Sequence, residues 1–286
     1  MRYAGIAGID EMRAARCGVG GYDTMGSIAV CDMKGMARAD KLHAAHVLLS
    51  RNKHLATVLE KAGAVTGRYR TRRFRYVAGA RNYMARHREN GCVFVFDVRK
   101  AFFSPRLSYE RGRVAALVKG GENVIVMFAG VGPFAIEIAK AHSDAHVVAI
   151  ELNRSAYAYM TANIKLNRLN NLEPVLGDVR RVSRIYSGSA TRVVMPLPAS
   201  SLSFLDEALE VSGRRSVVHL YSFGQRDTAI DTLVEIVKRH AEARGYAARR
   251  LFGRVVTDYS ASEVEVVLDY GIQKRKDDER RMPHLR

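Results

Sequence analysis

The sequence predicts an α/β fold in which a doubly wound parallel sheet follows a smaller α+β domain. From Val124 onward, short apolar runs alternate with amphipathic helices, and a glycine turn directly follows the first of these runs. Such runs are typical of parallel strands, because the connecting helices bury both faces of the sheet. The apolar content of 48% over 286 residues is sufficient for an ordinary buried core.

The larger domain is predicted element by element from this alternation. Residues 124–127 form a first strand, residues 129–132 a glycine loop and residues 134–141 a helix. The remaining predicted elements are strands at 147–151, 174–176, 192–195 and 216–222, helices at 155–169, 202–211 and 228–243, and a closing hairpin of 248–256 and 263–270. In such a sheet, ligands bind beyond the carboxyl ends of the strands.

Residues 20–100 differ from this pattern and are assigned to the small α+β domain. Strands are predicted at 28–31 and 94–97, and a helix at 40–50. The domain division is therefore a short segment at 1–19, the small domain at 20–100, the large domain at 101–273 and a charged tail at 274–286. The tail is poor in apolar residues, which favours a solvated segment.

The charge balance predicts a polyanionic partner. The chain has 46 Lys and Arg against 29 Asp and Glu, a formal net charge of +17, which favours nucleic acid. No apolar run is long enough to cross a bilayer and no signal peptide is recognisable, so a cytoplasmic protein without a membrane partner is expected. Cys17, Cys31 and Cys92 are not closely spaced, and neither a disulfide framework nor a metal site is predicted.

The segment VIVMFAGVGPF predicts a cofactor site. Gly130 and Gly132 let a ligand approach the backbone, and Glu151 ends the next strand, where a carboxylate can accept hydrogen bonds from ribose hydroxyls. Asp178 closes the third strand. Pro133 withholds an amide that could bind pyrophosphate, so a cofactor such as S-adenosylmethionine is favoured over a dinucleotide.

Six segments together resemble the archaeal and eukaryotic tRNA (guanine-37-N1)-methyltransferases over about residues 20–270. They are GYDTMGSIAV, GRYRTRRF, HRENGC, FFSPRLSYER, MFAGVGPF and RVVMPLP. The resemblance implies a class I methyltransferase domain with a Rossmann-like sheet, S-adenosylmethionine as cofactor, and the guanine next to the anticodon of a tRNA as substrate. A monomer that binds the anticodon stem-loop is expected.

The resemblance also implies two catalytic roles. Glu110 corresponds to the family's general base and Arg70 to its transition-state-stabilising arginine. Methylation at N1 of guanine requires a base for the N1 proton and a cation near O6. The residues alone leave alternatives open: Glu110 could form an ion pair with Arg106 or Arg113 on a helix face, and Arg70 could contact phosphate within a basic strand.

The remaining site predictions concern binding. Cofactor contacts are predicted for Phe102, Phe128, Ala129, Gly130, Gly132, Glu151, Asp178 and Pro196. Substrate contacts are predicted for Arg68, Arg72, Arg106, Pro196 and Pro198. For Phe102, core packing is the alternative.

Three departures from the family pattern stand out. Val126 occupies a position that is usually acidic in the cofactor site, and Pro196 replaces the asparagine of an Asn-Leu-Pro motif, leaving only its carbonyl as a hydrogen-bond acceptor. The Pro-Leu-Pro form resembles an archaeal subgroup in which some members also methylate carbon 7 of a wyosine precursor. Residues 1–19 are too few for the amino-terminal domain that archaeal relatives use to grip tRNA.

Two other functions remain alternatives. A related wyosine-pathway enzyme transfers an aminocarboxypropyl group, but it tends to read FSRGN where residues 103–107 read FSPRL. A non-catalytic RNA-binding protein is the second alternative, suggested by Val126 and Pro196. Intact Glu110, Glu151 and loop glycines favour an active enzyme.

Overall fold

The computed structural model describes residues 21–63, 67, 69 and 71–275, and the predicted segment 1–19 lies outside this range. A four-stranded sheet comes first, with strand order β1-β2-β3-β4 and helix α1 linking the parallel pair β2 and β3. Its elements are β1 (Tyr22–Met25), β2 (Ile28–Cys31), α1 (Arg38–Arg51), β3 (Thr57–Lys61) and β4 (Phe74–Gly79). The predicted strand at 28–31 and the predicted helix at 40–50 are confirmed.

A seven-stranded sheet forms the larger part and confirms the doubly wound prediction. Its strand order is β12-β13-β11-β10-β7-β8-β9, parallel throughout except for β13, which runs antiparallel between β11 and β12. The elements are α2 (Ser108–Leu117), β7 (Asn123–Met127), α3 (Pro133–Ala141), β8 (His146–Glu151), α4 (Arg154–Leu166), β9 (Leu172–Leu176), α5 (Val179–Val182), β10 (Ala190–Met195), α6 (Leu205–Val211), β11 (Ser212–Gln225), α7 (Ala229–Glu242), β12 (Tyr246–Asp258) and β13 (Glu263–Lys274).

Several predicted boundaries were wrong, including those of the strand predicted at 216–222, which runs from Ser212 to Gln225. Residues 201–204 form a 3-10 helix, so the α-helix predicted from 202 begins only at Leu205. The helix predicted to reach 169 ends at Leu166, because Arg168 adopts a positive φ of 58° that stops it. Strand β13 extends to Lys274, the first residue of the predicted tail, and residues 276–286 lie outside the described chain.

A separate hairpin, β5 (Met84–Glu89) and β6 (Cys92–Asp97), joins the two sheets. Side chains of helix α4 and of the residue that follows it bind the hairpin backbone: Asn163 Oδ1 accepts from Val95 N at 2.8 Å, and Asn167 Oδ1 accepts from Val93 N at 2.9 Å. The hairpin is therefore attached to the larger part of the molecule. The division at residue 100 stays a prediction.

A buried carboxyl pair lies between this hairpin and helices α2 and α3. Arg111 Nε lies 2.6 Å from Glu89 Oε1 and 3.4 Å from Glu137 Oε1, and Asn90 donates to Glu137 at 2.7 Å. Burial and the neighbouring Glu89 raise the pKa of Glu137 well above its ordinary value. Burial would also raise the pKa of Glu89, but hydrogen bonds and charge from His87 and Arg111 lower it instead. Glu137 is thus the protonated member of the pair.

We expect Glu137→Gln to stabilise the protein at alkaline pH. The folded chain holds a proton on Glu137 that the unfolded chain releases above about pH 4.5, so the wild-type free energy of unfolding falls as pH rises above this value. Glutamine needs no proton. The variant should therefore exceed wild type by about 1–3 kcal/mol at pH 8 in urea unfolding, with the difference closing toward pH 5.

The control for this prediction is Glu235→Gln, which changes an exposed glutamate on α7. It should leave the pH dependence of unfolding unchanged. Parallel pH profiles for wild type and Glu137→Gln would contradict a bound proton at Glu137.

Candidate functional site

The loop between β7 and α3 has the backbone of a ligand cradle. Phe128, Gly130 and Gly132 have positive φ values of 55°, 60° and 91°. A Cβ at Gly132 would lie 2.9 Å from Met160 Cγ, so this glycine allows α3 to pack against α4. A Cβ at Gly130 would meet only the Phe102 carbonyl, at 3.7 Å, so the space above Gly130 is open to a ligand.

Glu151 folds back from the end of β8 onto this loop. Its Oε2 accepts from Gly130 N at 2.7 Å and its Oε1 accepts from Asn153 N at 2.6 Å. Burial raises the pKa of Glu151, although the backbone N–H donors oppose this rise. Each carboxylate oxygen can accept a further hydrogen bond, so the pair of oxygens fits the two hydroxyls of a ribose.

Asp178, Phe128 and Phe102 are also predicted to contact the cofactor. Asp178 follows the neighbouring strand β9 and caps α5 by accepting from Arg180 N at 3.0 Å. Phe128 packs edge-on against Phe204, with ring centroids 4.7 Å apart. Phe102 is 46% exposed, which excludes the core-packing alternative, and its backbone carbonyl lies next to Gly130.

Glu110 is buried, with 1% of its surface exposed, in a cluster of donors. Its Oε2 accepts from the Tyr221 hydroxyl and from Arg113 Nε, both at 3.0 Å, and its Oε1 forms an ion pair with Arg254 at 2.7 Å. The ion pair with Arg113 given as the alternative therefore exists, but in the interior. The proposed pair with Arg106 was wrong, because Arg106 binds Asp23 at 2.7 Å on the small sheet.

A chain of buried groups holds Arg113 in place. Asp269 binds both terminal nitrogens of Arg113 at 2.5 and 3.2 Å, and also contacts His219 Nδ1 at 2.7 Å. Arg192 lies 2.8 Å from the other ring nitrogen, Nε2. Since an arginine can only donate, His219 must accept at Nε2 and donate from Nδ1 to Asp269. Burial lowers the pKa of His219, consistent with this neutral form.

Tyr221 connects Glu110 with two other predicted motifs. Its ring lies 5.6 Å from that of Phe134, in the first turn of the helix after the glycine loop. The Ser201 hydroxyl contacts the carbonyls of both Tyr221 and Leu197, the middle residue of the Pro-Leu-Pro turn. The structure thus brings the general-base candidate, the cofactor loop and this turn together at the carboxyl edge of the sheet.

The residues predicted to contact the substrate lie in different parts of the chain. Pro196 and Pro198 follow β10, and the Pro198 carbonyl accepts from Phe223 N at 3.3 Å. Arg72 is half-buried next to β4. Arg68 and Arg70 lie outside the described residues, so their roles stay predictions.

Tyr221 and Arg254 were not identified from the sequence. Tyr221 lies inside an apolar run and looked like an ordinary strand residue, and Arg254 is one of several arginines near the end of the chain. Only the pairing of β11 and β12 with β13 places them beside Glu110. No local signal could have found them.

The described part of the chain contains no helix long and apolar enough to cross a membrane. Within the same residues, no group of three or more His, Cys, Asp or Glu side chains is arranged to hold a metal ion.

A glycine loop after the first parallel strand, with a carboxylate closing the next, is where a Rossmann-like fold holds a nucleoside cofactor. With this sheet order, the site defines a methyltransferase that depends on S-adenosylmethionine. The chain belongs to the TRM5/TYW2 methyltransferase family, whose methyltransferase-domain profile matches residues 85–248.

Individual relatives agree with this assignment. The chain is 33% identical over 251 residues to the tRNA (guanine(37)-N(1))-methyltransferase Trm5b of Pyrococcus abyssi, covering 88% of this chain and 74% of the relative. It is 35% identical over 205 residues to a tRNA(Phe) (4-demethylwyosine(37)-C(7)) aminocarboxypropyltransferase of Methanocaldococcus jannaschii, covering 72% and 81%. A complex of aTrm5 with tRNALeu superposes with a TM-score of 0.77 at 30% identity, covering 87% of this chain and 71% of the other.

Proposed function

We propose that this protein transfers a methyl group from S-adenosylmethionine to N1 of guanine-37 in tRNA. The observation that carries the proposal is the link through Tyr221 between the buried Glu110 carboxylate and the helix that follows the cofactor loop. A base and a cofactor loop joined in this way suit a reaction that removes a proton while a methyl group is transferred.

The roles of the side chains follow from their positions. Glu151 would hold the ribose of the cofactor and residues 129–132 would hold its methionine part. When bound, the cofactor would supply an electrophilic methyl group. Glu110 takes the N1 proton of guanine, which leaves the N1 electron pair free to form the new bond. Arg113 and Tyr221 orient the carboxylate. Arg70 provides the cation near O6.

Nucleoside mass analysis tests this function directly. A tRNA transcript with guanine at position 37 is incubated with the protein and labelled S-adenosylmethionine, then digested. We expect labelled 1-methylguanosine, and none from a matched transcript with adenine at position 37. Label in neither transcript would contradict the proposal and leave the wyosine-precursor enzymes and the non-catalytic RNA-binding protein as the alternatives.

The same analysis on tRNA that carries a wyosine precursor at position 37 distinguishes the alternatives within the family. The Pro-Leu-Pro turn at residues 196–198 favours a wyosine precursor as a second methyl acceptor at carbon 7. The relative named as an aminocarboxypropyltransferase makes that transfer the competing reaction. The FSPRL sequence at residues 103–107 favours methyl transfer, and the mass of the added group distinguishes the two.

We expect RNA binding to weaken steeply with salt. The net charge of +17 and the RYRTRRFRY segment predict several contacts to phosphate. Neutralising about five phosphates gives a slope near −4 in log K against log salt concentration. Fluorescence anisotropy with a labelled anticodon stem-loop measures this slope, and a flat dependence would show that the basic excess is not the binding surface.

We further propose a cytoplasmic monomer, and light scattering with and without RNA checks its mass.

A further inference from the structure

Two arginines contact Glu110, and their surroundings differ. The Arg113 side chain is 13% exposed and is held by both oxygens of Asp269. The Arg254 side chain is 35% exposed and reaches Glu110 from strand β12. Within the described residues, Glu110 is the one carboxylate that it contacts.

The contact between Arg254 and Glu110 is also an ion pair that lacks hydrogen-bond geometry. The nitrogen and Oε1 lie 2.7 Å apart without the alignment of a hydrogen bond. The buried Nε of Arg254 has no hydrogen-bond partner among the described residues. An unpaired buried donor is costly, so this arginine can gain from a better acceptor.

The surroundings of Arg254 suit RNA. Its guanidinium lies 4.6 Å from the ring centre of Tyr109, a side chain that is 58% exposed. Phe252, exposed on the same strand, lies above Arg113 at 4.8 Å. Exposed rings beside arginines stack bases and bind phosphates, and no other carboxylate among the described residues pairs with Arg254.

We propose that Arg254 is a displaceable cap on Glu110: RNA draws its guanidinium onto a phosphate and thereby frees Oε1 for the guanine N1 proton. The inference rests on the proposed function and adds a positioning residue to it. Without RNA, the cap shields a buried carboxylate. With RNA, Arg113 and Tyr221 continue to hold Oε2 while Oε1 becomes available.

A double-mutant cycle in RNA affinity tests the cap. A labelled anticodon stem-loop is titrated with wild type, Glu110→Gln, Arg254→Gln and the double variant. Because RNA must break the ion pair, Glu110→Gln should bind about three- to tenfold more tightly than wild type. With Arg254 already absent, Glu110→Gln should change the affinity little. Arg254→Gln should also make the salt slope less negative by about 0.7 to 0.9, the loss of one phosphate contact.

Arg244→Gln is the matched control, because Arg244 is a half-exposed arginine whose partner is Asp206, 3.0 Å away. When Glu110→Gln is added to Arg244→Gln, it should still tighten binding of the stem-loop. Equal tightening with and without Arg254 would show a general charge effect and overturn the proposal. An unchanged salt slope in Arg254→Gln would overturn it as well.

Two further comparisons keep the test decisive. If Arg254→Gln does not fold, the double variant, which lacks both charges, is used in its place. Its RNA affinity and salt slope are compared with those of Glu110→Gln alone. Equal affinity and equal salt slope would overturn the cap. Methylation by wild type is scored separately on the same stem-loop. Coupled affinities without methylation would refute the proposed function, whereas methylation with uncoupled affinities would refute only the cap.

Discussion

Replacing Glu110 with glutamine is expected to slow single-turnover methyl transfer by about 10²- to 10⁴-fold, the usual contribution of a general base. Glutamine keeps the size of the side chain, and its carbonyl can still accept from Tyr221 and Arg113. It cannot take up the N1 proton. Rapid-quench measurement at saturating RNA and cofactor isolates the chemical step from binding.

Glu122→Gln is the matched control for this loss. Glu122 lies at the far end of the same buried network, where it pairs with Arg192 at 2.6 Å. Removing this charge disturbs the network without touching the Glu110 carboxylate. We expect its single-turnover rate to stay within about threefold of wild type, in line with an effect of under 1 kcal/mol. A near-normal rate for Glu110→Gln would leave Glu110 as an ion-pair partner of Arg113 only.

Replacing Glu151 with alanine is expected to weaken S-adenosylmethionine binding by about 10- to 150-fold. Loss of a hydrogen bond to a charged group corresponds to about 1.5–3 kcal/mol. The substitution also releases the amides of Gly130 and Asn153, which the carboxylate now holds. Isothermal titration calorimetry without RNA measures the change.

Glu173→Ala provides the comparison for Glu151. Glu173 lies on the neighbouring strand β9, is half-exposed, and binds Tyr186 instead of the loop. It should bind the cofactor as wild type does. Undiminished binding by Glu151→Ala would remove this carboxylate from the cofactor site and would require a different location for the ribose.

The cofactor half of the site could be predicted because its parts are close in the sequence. The strand, the glycine loop and the helix follow one another directly, and Glu151 lies one strand further along. Parallel neighbours bring their carboxyl ends to one edge, so the meeting of Glu151 with Gly130 follows from strand order alone. The observed hydrogen bond at 2.7 Å agrees with this expectation.

The half of the site around Glu110 depended on the tertiary structure. The sequence determined the fold class through its periodicity, a nucleoside cofactor through its glycine loop and a polyanionic partner through its net charge, and the resemblance of its motifs to a known family determined the class of enzyme. The sequence could not determine that Tyr221 and Arg254 contact Glu110 or that Asp269 holds Arg113, since these three residues lie more than 100 residues away from Glu110 along the chain. Their meeting requires β13 to insert antiparallel between β11 and β12 in one register. A shift of one residue would turn these side chains to the opposite face of the sheet, so only the folded register decides that Glu110 is buried in contact with Tyr221 and Arg254.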